Sequence, residues 1–103
     1  MDYEVTEILE KYIPVKKSTE YAIFITYDNL NLRLDMEFKD TWSKDKIISF
    51  MKAQAEQDMA DKEWIDDIRK RLIDYYKHSS DSDSEWSKEG FLKRGYIHSD
   101  VTF

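Results

Sequence analysis

Leu30, Leu32, Leu34, Met36 and Phe38 alternate with Asn31, Arg33, Asp35, Glu37 and Lys39. A period of two predicts a strand with one apolar face and one face in water. Just upstream, Tyr21, Ile23, Ile25 and Tyr27 repeat the same period, and Asp28 with Asn29 can close a two-residue turn. Such a turn sets Tyr27 against Leu30, Ile25 against Leu32, Ile23 against Leu34 and Tyr21 against Met36. Both strands then direct their apolar side chains to one side, and a slip of one residue would turn a whole set to water. On the opposite face, Phe24 would lie across from Arg33 and Ala22 across from Asp35. At the start of the chain the spacing differs. Val5, Ile8, Leu9 and Tyr12 fall at i, i+3, i+4 and i+7, which predicts a short amphipathic helix over Tyr3 to Ile13, ended by Pro14.

Ser43 to His78 contains neither Gly nor Pro. Ser43 is suited to cap a helix carrying Ile47, Phe50, Met51 and Ala55, and Ile65, Ile68, Leu72 and Tyr76 form a second apolar stripe. A single helix over this span would be about 50 Å long, more than so small a chain can cover. The expectation is therefore two helices broken near Ala60 and Asp61, with Asp61 as cap. A Ser/Asp-rich loop follows at 78–86, then a helical turn capped by Ser87. A last strand is expected from Arg94 to Phe103, with Ile97, Val101 and Phe103 on one face and lying beside the hairpin. The predicted fold is α+β: one domain over 1–103, with an N-terminal helix, a hairpin, two helices, a short helix and a strand.

Composition adds limits. With 103 residues, 41% of them hydrophobic and 37% charged, the chain can build one core beneath a highly charged surface. No apolar run approaches the roughly 20 residues that span a bilayer, and the N-terminal segment is acidic, unlike a signal peptide. Absence of Cys excludes disulfides and thiolate chemistry and suits a reducing compartment. A cytoplasmic protein without membrane contact is expected.

Candidate chemistry is sparse. Asp81, Asp83 and Glu85 match the first, third and fifth places of a calcium loop, but Trp86 stands at the sixth, where Gly makes the turn, and Leu92 at the twelfth, where a bidentate acid is required. No metal and no cofactor is expected there. The two histidines, His78 and His98, belong to no HExxH spacing, and no GxSxG elbow or glycine-rich phosphate loop is present. The expectation is a protein that is not an enzyme. In GFLKRGYIH, residues 90–98, Phe91, Lys93, Arg94 and Tyr96 combine base and ring as nucleic-acid binders do, yet a net charge of -6 opposes direct binding of nucleic acid.

On a helix, Glu63, Asp67 and Asp74 fall within about 20° of one direction, opposite the Ile65 stripe, and Glu56 joins them if the helix is unbroken. Asp81, Asp83 and Glu85 would extend the charge. Such a row of carboxylates can imitate spaced phosphates and occupy the basic channel of a nucleic-acid-binding enzyme. The same row is also what the solvated face of an ordinary amphipathic helix presents. In size, acidity and lack of cysteine the chain resembles small phage-encoded inhibitors of bacterial defence, of the anti-CRISPR and anti-restriction kind, a likeness of composition without a shared motif. What that likeness implies is an inhibitor or adaptor with a protein partner. An immunity protein that neutralises a cognate toxin, or a non-catalytic subunit of a larger complex, fits the same features. Oligomeric state is left open by the sequence.

Overall fold

The computed structural model describes residues 2–78 and 88–103, without the side chains of 72–78. The hairpin is built as its pattern predicts. Strand β2 (Ser18–Tyr27) pairs antiparallel with β3 (Leu30–Lys39), with Tyr27 opposite Leu30, Ile23 opposite Leu34, Tyr21 opposite Met36 and Phe24 opposite Arg33. Asp28 and Asn29 take φ of 51° and 63°. Two successive left-handed residues give the turn whose twist matches the strands it joins, and Asp and Asn tolerate that region better than most residues.

Tyr3–Ile13 is strand β1 and not a helix. It pairs antiparallel with β2, and the register shifts between Val5 and Glu7, where Thr6 is an extra residue opposite Phe24. That bulge is why the apolar spacing looks helical. Before it Tyr3 and Val5 face the main core, and after it Ile8 does, so one strand face shows a three-residue step from Val5 to Ile8. Leu9 belongs to the opposite face, so the apparent pair Ile8–Leu9 is one residue on each side of a sheet.

Helix α1 (Lys44–Ala60) begins at Ser43, whose Oγ accepts the Lys46 amide at 3.2 Å. Helix α2 (Lys62–His78) is separated from α1 by one residue. Asp61 is the break: its amide donates to the Asp58 carbonyl at 3.1 Å, and its Oδ1 accepts the amides of Glu63 and Trp64 at 3.1 and 3.2 Å. One carboxylate thus satisfies two of the donors that a new helix leaves open. Ile47, Met51, Ala55 and Met59 recur every fourth position and are buried, and Ile65 joins them from α2. Together they cover Ile8, Ile23, Ile25, Leu32, Leu34 and Phe38 on one face of the sheet. Phe50, expected within the α1 stripe, is instead 44% exposed.

The C-terminal segment crosses to the other face. Helix α3 (Lys88–Lys93) buries Phe91 against Leu9 and Ala22, with Phe24 and Tyr96 at the margin. Gly95, at φ 96°, then reverses the chain into β4, which is only Ile97–His98 and pairs with β1, giving the sheet order β3-β2-β1-β4. The long strand expected from Arg94 to Phe103 does not form. Its ladder stops once the Ser99 amide has bonded the Ile8 carbonyl, because the Ser99 hydroxyl accepts the Val101 amide at 3.1 Å and bends the chain. Val101 and Phe103 then turn into the helix-side core while Ile97 stays 62% exposed. The result is an α+β fold of a four-stranded antiparallel sheet between a helical layer and a short C-terminal strap. No helix among the described residues is long and apolar enough to cross a membrane.

Candidate functional site

The acidic row is divided by the break at Asp61. Glu56 lies on α1, half-buried, and accepts a hydrogen bond from the Tyr3 phenol at 3.1 Å. It ties the first strand to α1 and is removed from the outward face. Burial, then Glu56, hold the Tyr3 phenol above its ordinary pKa. Glu63 and Asp67 are together on α2, one turn apart and exposed, with Asp66 exposed beside them. Asp67 pairs with Arg71 at 2.8 Å across i, i+4. Both groups stand in water, so this pair leaves the face open to competition from a stronger cation. The Asp74 side chain, the whole 78–86 loop apart from the helical backbone of His78, and Asp81, Asp83 and Glu85 lie outside the described residues. So do the Leu72 and Tyr76 side chains of the second stripe, and Ser87.

Two features escape the sequence reading. At one end of the sheet, Asp2, Tyr3, Glu4, Thr26, Tyr27 and Asp28 line an open polar hollow. Arg69 of α2 reaches Asp28 at 2.6 Å and fastens the helix to that end. Among the described residues, no group of three or more His, Asp or Glu is arranged to hold a metal ion.

The second is the face under the strap. Phe91 meets Phe24 and Tyr96 edge-on at centroid distances of 5.8 and 5.0 Å. Arg33 and Arg94 stand against the Phe91 ring at 5.1 and 4.5 Å. Arg33 also bonds Asp35 at 2.9 Å, and Lys11 donates to the Arg94 carbonyl at 2.8 Å. Phe91, Arg94 and Tyr96 of the GFLKRGYIH segment are thereby engaged within the fold, while Lys93 is exposed. Tyr96 donates to Glu20 at 2.8 Å, and its phenol is pushed up to about 12, by burial first and by Glu20 second. A signal for this layer exists in the sequence: Ala22 and Phe24 are apolar on the face that the Asp35 and Arg33 pattern assigns to water.

Glu7, beside the bulge, pins the strap. One carboxylate oxygen meets Lys88 at 2.8 Å and the other meets His98 Nδ1 at 2.8 Å, so α3 and β4 are both fastened to β1. Hydrogen bonds from Lys88 and then His98 hold the Glu7 carboxyl below the ordinary glutamate value of 4.5. A carboxyl whose pKa is lowered by folding adds stability that is complete above its unfolded pKa and disappears as pH falls through the folded one. Glu7→Gln should therefore destabilise the protein by up to about 1 kcal/mol at pH 7, a value limited by solvent around the pair. The difference from wild type should shrink as pH falls below the ordinary glutamate value, as urea midpoints measured over a descending pH series would record; a difference independent of pH would contradict the ion-pair role. Comparison with protein-family models, curated proteins and solved structures gives no match to this chain.

Proposed function

We propose that this protein is a non-enzymatic, cytoplasmic binding protein that sets the carboxylates of α2 against a basic, nucleic-acid-binding surface of a partner enzyme. Inhibition of a bacterial defence nuclease, as by phage-encoded anti-CRISPR or anti-restriction proteins, is the activity that suits such a face. The observation behind this reading is the division of α2: Ile65 is buried in the core, while Glu63, Asp66 and Asp67 are exposed. A helix anchored by its apolar side presents carboxylates at fixed spacing, and a channel built for phosphate binds by charge first.

The test is inhibition of DNA cleavage by a panel of purified RNA-guided and restriction nucleases, with the salt concentration varied. A susceptible nuclease should be inhibited at low salt and released as salt rises. Replacing Glu63, Asp66 and Asp67 with Lys should weaken inhibition by about tenfold or more with the fold intact, since like charges at a rim slow encounter. Inhibition unaffected by that triple change would refute the acidic-face reading.

A second reading, an immunity protein for a cognate toxin or a non-catalytic subunit, draws on a different surface. Phe50 is exposed and packs edge-on against Phe38 and Trp42, at 5.5 and 5.7 Å between centroids. Aromatic groups of this kind anchor apolar interfaces. A partner retained on the immobilised protein at high salt, and lost with Phe50→Asp, would favour this reading over charge mimicry.

A further inference from the structure

Strand β3 closes one side of the sheet, with β2 the only strand beside it among the described residues. Its ten residues pair with β2 in a single unbroken register and include no Pro, Gly or bulge. A long, regular edge without those features is a template for another strand. In a two-residue hairpin the closing pair exchanges both backbone hydrogen bonds, here Tyr27 with Leu30. The even-numbered residues of β3 therefore direct their backbone groups toward β2, and Asp40 continues the series by donating its amide to the Lys17 carbonyl at 3.0 Å. The odd-numbered residues Asn31, Arg33, Asp35 and Glu37 direct theirs outward. Their side chains lie on the strap side of the sheet, with one base, Arg33, followed by two acids, Asp35 and Glu37.

We propose that the chain forms a two-fold dimer in which β3 pairs antiparallel with β3 of a second copy, with Leu34 on the axis. Parity and charge select that register. Outward backbone groups must meet outward groups, so odd residues face odd residues. An axis at Arg33 would oppose two arginines, an axis at Asp35 would oppose two aspartates, and an axis at Met36 would set Asp35 against Glu37 and Arg33 against Lys39. With the axis at Leu34, Arg33 of each copy faces Asp35 of the other, and Asn31 faces Glu37. Arg33 keeps its contact with Asp35 of its own strand and gains the same group across the axis. On the helix side, Leu34 meets its counterpart and Leu32 meets Met36, joining two apolar faces into one. The groove between β3 and α1, lined by Met36, Phe38, Lys39, Trp42, Phe50 and Gln54, runs along this edge, and the second copy would cover it. The pairing is isologous, so it closes at two copies and ends the exposed edge. It is independent of the acidic face of α2.

Sedimentation equilibrium of the full chain over a wide concentration range tests the pairing. The expected result is a reversible species of twice the 12.5 kDa chain mass. Asp35→Arg alone, and Arg33→Asp alone, should each weaken the dimer by about tenfold or more, because both symmetric pairs become like charges. Exchanging the two in one chain, R33D with D35R, should restore it. Circular dichroism and a cooperative thermal transition confirm that each variant is folded. A wild type that stays monomeric at several hundred micromolar, a dimer insensitive to the single reversals, or an exchanged variant that remains monomeric would each overturn the proposal.

Discussion

Ile23→Ala should destabilise the protein by about 4 kcal/mol, within the range of about 2–5 kcal/mol seen for truncating a buried Ile. Ile23 lies on the second strand of the β3-β2-β1 succession and is 0% exposed, between Ile8 of β1 and Leu34 of β3. A hole there is bordered by strands on both sides and roofed by the helical layer, so collapse around it is difficult. Domains of this size are stable by about 5–15 kcal/mol, so the loss is a large part of the total. Urea denaturation should show a midpoint lower by roughly 1.3–4 M, taking slopes of about 1–3 kcal/mol/M. A midpoint within about 0.5 M of wild type would mean that the sheet and helices are not packed as described.

Phe91→Ala should remove about 3 kcal/mol and act locally. Phe91 is 5% exposed and is the buried residue that α3 contributes to the face formed by Leu9 and Ala22. Its ring also receives Arg33, Arg94, Phe24 and Tyr96, so truncation removes apolar burial together with edge-on and cation contacts. With that anchor gone, the strap up to Ser99 is held by Glu7, the Tyr96 bond to Glu20 and the two residue pairs of β4, and Val101 reaches the main core beyond them. Hydrogen exchange at the Ser99 amide, bonded to Ile8, should accelerate far more than exchange at amides shared by β2 and β3. Equal acceleration at both places would show that the strap and the main core are one cooperative unit. Phe91→Leu, which keeps most of the apolar volume, should recover a good part of the loss.

Much of the fold is legible in the residue pattern, and the exceptions share a cause. The β2-β3 hairpin follows from alternation and from a turn made of Asp28 and Asn29, both local properties. The Ser43 and Asp61 caps follow from side chains that compete for the backbone a few residues away. Strand β1 is not legible because the Thr6 bulge shifts its period, and the bulge exists only when Phe24 lies opposite. A three-residue apolar step in isolation has the spacing of a helix. Exposure of Phe50 and the path of the C-terminal segment likewise depend on which surfaces remain open after the sheet and helices have packed.

The candidate site divides in the same way. That α2 has an acidic side opposite Ile65 can be read from its spacing, since a helix fixes angle by sequence number. Glu56 could be added to that side only by assuming an unbroken helix, and its hydrogen bond to Tyr3 spans 53 residues of sequence. The charged face of β3, Arg33, Asp35, Glu37 and Lys39, is equally plain in the sequence, while its meaning as an edge is not. A strand becomes an edge only when every other strand has chosen its neighbours.

By itself, therefore, the sequence determined the hairpin register, the acidic side of α2 and the α+β class, because each rests on interactions within a few residues or on periodicity; the break near Asp61 is favoured there only by the small size of the chain. Only the tertiary structure decided that β1 is a strand, that Ala22 and Phe24 lie beneath Phe91, and that Glu7 fastens both Lys88 and His98. Those outcomes depend on contacts between residues far apart in the chain, whose free energy is gained only once the sheet exists to bring them together.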